Sequence, residues 1–321
     1  MKEEEMSMRL PQIMITTTLS TPVRTDTFRS VIAGRAIVQE VSLPFSEQQS
    51  EVEPYWRQLE TADALFVRTG LIPAALLQRC RNLRAIVLHG AGMDQVDVKA
   101  AEQLGIKVLN LPGVNANAVA ELTIGLILAC LRQIVTSDRL LRSLGWDASR
   151  RLGSELRGRT VGLIGFGQIG RRVAALLTSF GVRLLVTSRR QPTSCDIDYE
   201  WVSLESLLSV SDVVSIHVPL AEDTYHLIDE KSLALMQPGS ILVNTARGAI
   251  VDHEALCSAL VNGRLAAAAL DVFDPEPLPV DDKLLQMDNV ILTPHLGGST
   301  HECLAELARR GAEAIVQLLA I

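Results

Sequence analysis

Arg247, Glu276 and His295 are the residues whose types and spacing could do chemistry together. Each follows a short apolar run that reads as a β-strand. Arg247 lies in N-T-A-R-G after 240–244, Glu276 in D-V-F-D-P-E-P-L after 266–272, and His295 in T-P-H-L-G-G after 290–293. Open α/β sheets hold ligands at the carboxyl ends of their strands, so the three would share one rim. An imidazole there could give or take a proton, because it titrates near neutral pH. A carboxylate on its other ring nitrogen would set the tautomer and favour the charged ring. A guanidinium could clamp a carboxylate and polarise a carbonyl. Singly, each residue has an ordinary structural explanation: a solvated loop Arg, a Glu in a surface turn between prolines, a structural His after a strand.

A co-reactant for such a rim is suggested by residues 160–190. Gly165, Gly167 and Gly170 fit G-x-G-x-x-G in T-V-G-L-I-G-F-G-Q-I-G, between an expected strand at 161–164 and an expected helix at 168–180 closed by Gly181. Gly165 would permit the tight turn, Gly167 would let backbone approach a pyrophosphate, and Gly170 would let the helix pack close to the strand. A second strand, 182–187, follows at the βαβ distance. At its end a carboxylate would hold the ribose 2′-OH of NAD. This chain has Ser188, Arg189 and Arg190 instead. A hydroxyl and two guanidiniums can bind a 2′-phosphate, so NADP(H) is the expected cofactor and NAD(H) the other; a solvated basic turn is the alternative reading. Beside a nicotinamide, the rim would serve hydride transfer at C2 of a hydroxy acid.

The 321 residues are 48% hydrophobic and 21% charged, enough apolar material for two ordinary domains. A net charge of −7 argues against nucleic acid as a partner. The five cysteines (80, 130, 195, 257 and 303) form no C-x-x-C pair and suggest neither disulfides nor a metal site. A reducing cytoplasm is expected. Residues 1–9 lack the apolar core of a signal peptide and read as a frayed tail; the apolar stretch 119–131 is too short to span a membrane.

The first third reads as strands at 13–16, 36–41, 64–67, 85–88 and 107–110, with helices such as 73–81 and 96–104 between them. A long apolar helix, 115–132, would bury itself either in the core or against a second subunit, and a polar stretch through Trp146 to Gly158 follows. Beyond Arg190 come strand 213–218, helix 230–236, strand 240–244, helix 253–261, strand 266–272 and strand 290–293. Gly239 and Gly263 read as helix stops, and Ser299 as the N-cap of a final helix. The expectation is α/β, with two doubly wound parallel-sheet domains: a Rossmann dinucleotide-binding domain at 114–296, and a flavodoxin-like substrate domain from 1–113 plus 297–321.

The ordered motifs G-F-G-Q-I-G, H-V-P-L, N-T-A-R-G, D-V-F-D-P-E-P-L and T-P-H-L-G-G resemble those of the D-isomer-specific 2-hydroxyacid dehydrogenase family. So do H-G-A-G-M-D-Q-V-D and L-P-G-V-N-A-N-A-V-A-E upstream. The resemblance implies a homodimer joined through the long helix and the arm near 115–158. It implies catalytic roles for Arg247, Glu276 and His295. It places Gln168 and Ile169 at the pyrophosphate, Val218, Pro219 and Thr224 on the adenosine side, and Thr245, Ala246, Arg247 and Asp271 towards the nicotinamide, with Asp271 as a carboxamide partner and Gly297 and Gly298 also at the cofactor. Arg68, Thr69 and Gly70, with Gly90, Ala91 and Gly92, match two loops that close on substrate. Ser188-Arg189-Arg190 resembles the NADP-using glyoxylate/hydroxypyruvate reductase branch. V-R-T-G at 67–70 resembles the phosphoglycerate dehydrogenase branch, although Leu88 stands where that branch carries Arg, and the chain leaves no room for a serine-sensing module. The expected substrate is a small, unphosphorylated 2-oxo or 2-hydroxy acid. The alternatives are an NAD-using phosphoglycerate dehydrogenase-like enzyme and, in another class, a dinucleotide-sensing binding protein, since this fold also serves a transcriptional corepressor.

Overall fold

The computed structural model describes residues 9–18, 21–46, 48–191 and 196–321, so the tail before Arg9 and Cys195 lie outside the described residues. The chain divides into two compact units, Met1–Asn115 with His301–Ile321, and Ala116–Thr300.

In the first unit the elements run β1 (Gln12–Thr16), α1 (Thr25–Ile32), β2 (Ile37–Val41), α2 (Gln49–Leu59), β3 (Ala64–Val67), α3 (Ala74–Leu77), β4 (Ala85–Leu88), α4 (Val98–Gln103) and β5 (Lys107–Leu109). All strands are parallel in the order 2-1-3-4-5, the flavodoxin-like arrangement. β3 and β4 are buried throughout. That is why they read as unbroken apolar runs rather than alternating ones.

The helix expected at 73–81 covers only Ala74–Leu77. After it, Arg79, Leu83 and one branch of Cys80 bond three residues back, so the chain turns tightly to bury Cys80 and Leu83. The helix expected at 96–104 starts at Val98, because the Asp97 side chain caps it by accepting from the Ala100 amide at 3.0 Å.

The second unit runs α5 (Ala116–Leu131), α6 (Ile134–Leu144), α7 (Trp146–Ser149), β6 (Thr160–Ile164), α8 (Gln168–Thr178), β7 (Arg183–Thr187), β8 (Glu200–Trp201), α9 (Leu204–Val210), β9 (Val213–Ile216), α10 (Glu230–Leu235), β10 (Ser240–Asn244), α11 (His253–Val261), β11 (Leu265–Leu270) and β12 (Val290–Leu292). Its parallel sheet is ordered β12-β11-β10-β9-β6-β7-β8. Counted from β6 this is the Rossmann order with one further strand, and the order reverses between β6 and β9. The glycine turn leaves β6 at that point. α12 (His301–Leu319) closes the chain and belongs to the first unit.

α5 buries Ala116, Val119, Ala120, Thr123, Ile124, Ile127, Cys130 and Leu131, and part of this face packs with β6 and α8 residues in one core cluster. It is an intrachain core helix. The stretch after it, expected to be polar, contains α6, which buries no residue of its own. β8, only two residues long, and α9 were not anticipated. Gly263 stops α11 in the left-handed region, but Gly239 sits in the turn entering β10, four residues past Leu235, the last residue of α10. α12 begins at His301, so Thr300 rather than Ser299 occupies the N-cap position. Among the described residues no single helix is long and apolar enough to cross a membrane.

Candidate active site

The turn after β6 has the geometry that its three glycines suggest. Gly165 has φ +102°, and a Cβ there would lie 2.6 Å from the His217 carbonyl oxygen; a Cβ on Gly170 would collide with the Gly165 carbonyl. A Cβ on Gly167 would meet nothing within 4 Å. Two glycines are therefore demanded by the protein's own packing, and the third leaves an open approach to backbone. Gly167 is also the N-cap of α8 and offers no side-chain cap, which leaves the amides of Gln168 and Ile169 at a free helix N-terminus. A pyrophosphate fits this cradle.

The other segments expected to meet the cofactor are held by local bonds. Ser188 is half-buried, its hydroxyl donating to the Arg190 carbonyl at 2.8 Å. Arg189 and Arg190 are exposed, and Arg189 stands 3.9 Å from Asp223, an acidic neighbour that sequence reasoning missed. Val218 and Pro219 begin the loop after β9, and Thr224 closes that loop by donating to the Pro219 carbonyl at 2.7 Å and accepting from the Ala221 amide. The expected strand 213–218 ends at Ile216 because the next residues turn out beneath Gly165. Burial pushes the His217 imidazole down to about 3, so it is neutral and shares a hydrogen bond with Ser215.

Glu276 and His295 meet. Nδ1 of His295 lies 2.8 Å from Oε2 of Glu276, while Oε1 accepts from the Phe273 amide at 2.9 Å. An ionised carboxylate can only accept, so the ring proton sits on Nδ1 and Nε2 is left for exchange. Burial alone would raise the Glu276 carboxyl; its hydrogen bond to His295, the charge of that ring, the Phe273 amide and the Arg247 guanidinium together hold it below the ordinary glutamate value. His295 itself has φ +53°, a strained conformation for a side-chain-bearing residue, and its side chain is 51% exposed.

Asp271 explains how that strain is held. Its carboxylate accepts from the Thr293 hydroxyl (2.6 Å) and from the amides of Leu296 (2.7 Å) and Gly297 (2.8 Å), and its carbonyl accepts from the His295 amide. Asp271 is 1% exposed, and burial raises its carboxyl above the ordinary value despite these bonds. The carboxylate expected at the nicotinamide carboxamide also clamps the T-P-H-L-G-G loop. Gly297 is buried in that clamp, with Gly298 beside it half-buried.

Arg247 emerges from the turn after β10. Asn244 knits this turn, accepting from the Ala246 amide at 3.0 Å and donating to the Arg247 carbonyl at 2.8 Å. Thr245 is buried, its hydroxyl 3.1 Å from that of Thr123 on α5. Thr123 was missed because it acts on a residue 122 positions away, which leaves no sequence period, and Asn244 because its bonds stay within its own turn and touch no expected ligand.

In the first unit, Thr16 at the end of β1 organises residues 68–70: its hydroxyl donates to the Thr69 carbonyl at 2.7 Å and accepts from the Arg68 amide at 3.2 Å. Gly70 has φ +79°. In the neighbouring loop the Asn110 side chain donates to the Ala91 carbonyl at 2.7 Å, and the Gly90 carbonyl accepts from Leu111, with Gly92 following. Leu88, before this loop, is 1% exposed and belongs to the core.

The comparisons with known proteins agree with this architecture. Residues 124–297 match the family model described as the D-isomer specific 2-hydroxyacid dehydrogenase, NAD binding domain. A hydroxypyruvate reductase of Thermotoga maritima is 40% identical over 293 residues, 90% of this chain and 95% of that protein. A D-3-phosphoglycerate dehydrogenase of Methanocaldococcus jannaschii is 39% identical over 271 residues, 83% of this chain but 52% of that protein. The crystal structure of a glyoxylate reductase from Paecilomyes thermophila superimposes with a TM-score of 0.83 at 29% identity, covering 96% of this chain and 95% of that one. The chain belongs to the D-isomer specific 2-hydroxyacid dehydrogenase family, oxidoreductases that use a nicotinamide dinucleotide.

Proposed function

We propose that the chain reduces small, unphosphorylated 2-oxo acids of the glyoxylate and hydroxypyruvate type, with NADPH preferred over NADH. The observation that carries this reading is the Glu276–His295 pair, whose outward Nε2 can exchange a proton with a substrate oxygen. When bound, the nicotinamide supplies or accepts the hydride. His295 gives its Nε2 proton to the carbonyl oxygen as the alcohol forms and recovers it in the reverse direction. Glu276 orients the ring and keeps a proton on Nδ1. Arg247 holds the substrate carboxylate and draws charge onto the carbonyl oxygen. Gly165, Gly167, Gln168, Ile169 and Gly170 receive the pyrophosphate, and Arg68 adds a cation for the anionic substrate.

The preference for NADPH rests on Ser188, Arg189 and Arg190 at the end of β7, where the sequence has a hydroxyl and two guanidiniums in place of the Asp or Glu that would hold a ribose 2′-OH. Replacing both arginines by alanine is expected to shift selectivity towards NADH by about ten- to a hundredfold, the worth of one or two charge-assisted contacts. An unchanged ratio of kcat/KM for the two cofactors would return the pair to a solvated turn.

The phosphoglycerate reading is favoured by Arg68 and disfavoured by Leu88, which leaves an apolar core residue where a second cation would stand. Steady-state rates with glyoxylate, hydroxypyruvate and 3-phosphohydroxypyruvate, each with NADPH and NADH, decide between them. A phosphorylated acid with NADH as the best pair overturns the proposal. Cofactor-dependent association without turnover on any of the acids supports a dinucleotide sensor instead.

A second copy of the chain is the proposed partner. α6 and the arm after it expose Ile134, Val135, Leu141, Leu144, Trp146 and Leu152, the last at 95%, a patch expected to be covered in solution. Sedimentation at micromolar concentration should give twice the chain mass of 34.9 kDa; a single chain mass excludes it.

A further inference from the structure

His89 is a histidine that the chemistry above does not use, and it sits at the end of β4, next to the Gly90-Ala91-Gly92 loop. Its Nδ1 lies 2.9 Å from Nη1 of Arg68. A guanidinium has only N–H groups to offer, so Arg68 donates and Nδ1 accepts; the ring proton must then sit on Nε2. Nε2 is buried without a hydrogen-bond partner among the described residues. The ring also lies 5.3 Å from the ring of Phe66 on β3, in a tilted contact. Arg68 makes a further bond from Nε to the Thr21 carbonyl at 3.2 Å. Burial, and then the charge of Arg68, push the His89 imidazole well below its ordinary range, so it remains a neutral acceptor at working pH.

A buried donor left unsatisfied is costly, and it is tolerated here on the side of the ring that faces away from Arg68. The side that faces Arg68 makes the bond. A neutral acceptor orients a guanidinium without cancelling its charge, whereas a carboxylate in the same place would compete with an anionic substrate for it. We propose that His89 is a positioning residue that fixes the guanidinium of Arg68 for the substrate's anionic group. The inference rests on the reading of Arg68 as a substrate-binding cation.

The test is a set of four variants assayed with NADPH and the best 2-oxo acid. In His89→Leu, which keeps an apolar ring-sized volume and removes the acceptor, KM for the acid should rise about tenfold, the worth of one hydrogen bond to a charged group. Its kcat and its KM for NADPH should stay within about twofold, which also reports that the fold is intact. His89→Asn can place its amide oxygen near the position of Nδ1 and should restore most of the lost affinity. Arg68→Ala should raise KM by more than His89→Leu does. The double variant should be no worse than Arg68→Ala, because the imidazole then has nothing to position. Additive losses, or equal losses in the Leu and Asn variants, overturn the role of His89 while leaving Arg68 as it stands. An unchanged KM in Arg68→Ala overturns the reading of Arg68 itself, and the proposal with it.

Discussion

Replacing His295 by alanine is expected to lower kcat by about a thousandfold while KM for NADPH changes by less than about threefold. General acid–base groups contribute roughly 10² to 10⁴ in rate, and Nε2 is the only ring atom that the bond to Glu276 leaves for exchange. The cofactor cradle is built from a different turn, around Gly165 to Gly170, and does not depend on the ring. Stopped-flow transfer under single-turnover conditions separates the chemical step from product release. A variant that loses cofactor binding and kcat equally would remove the acid–base assignment and leave His295 as a structural residue.

The same substitution has a second signature in stability. The folded protein holds Glu276 below the ordinary glutamate value of 4.5, with His295 supplying the first two of the influences that lower it. A carboxyl depressed in the folded state adds stability that is complete above its unfolded value and lost as pH falls through its folded value. Without the imidazole, burial dominates, Glu276 keeps less of that contribution, and the acid unfolding midpoint should move to higher pH. Glu276→Gln removes the titrating group, and its acid midpoint should be insensitive to a further His295→Ala change. Acid titration by circular dichroism, carried out on the unaltered protein, the two single variants and the double variant, checks the sign.

Much of this site could be read from the residues because each part carries a local pattern. The apolar runs of β3, β4, β6 and β10 mark parallel strands buried on both faces, and the last of them sets Arg247 just past a strand end. Gly165 and Gly170 could be read because backbone crowding admits no other residue. Asp271 was legible as a site residue but not in its work: nothing in D-V-F-D-P says that its carboxylate ties down Thr293, Leu296 and Gly297 more than twenty residues later. Asp223, Thr123 and His89 share this difficulty. Their importance lies in contacts across loops, with Arg189, Thr245 and Arg68, and such contacts leave neither period nor spacing. Helix ends went astray where a shorter-range bond competed, as at Asp97 and beyond Leu77.

Replacing Arg247 by alanine is expected to lower kcat/KM by about a thousandfold, and the loss should be nearly the same for every 2-oxo acid. The carboxylate and the adjacent carbonyl are common to all of them, so a residue that grips those two groups cannot discriminate among side groups. Removing one donor to a developing oxyanion costs about 10² to 10³ in rate, and the lost bidentate clamp adds to it in KM. Arg247→Lys should recover only a small part, since an ammonium restores the charge but not the planar fork. The turn itself should survive both changes. Its two Asn244 bonds go to the backbone of residues 246 and 247, and neither needs the guanidinium. Fluorescence titration with NADPH should therefore give a dissociation constant close to that of the unaltered protein. If kcat/KM falls by less than about fivefold, or falls for hydroxypyruvate and not for glyoxylate, Arg247 recognises something other than the shared oxo-acid group. The carboxylate clamp would then have to be sought elsewhere, with Arg68 as the next cation to test.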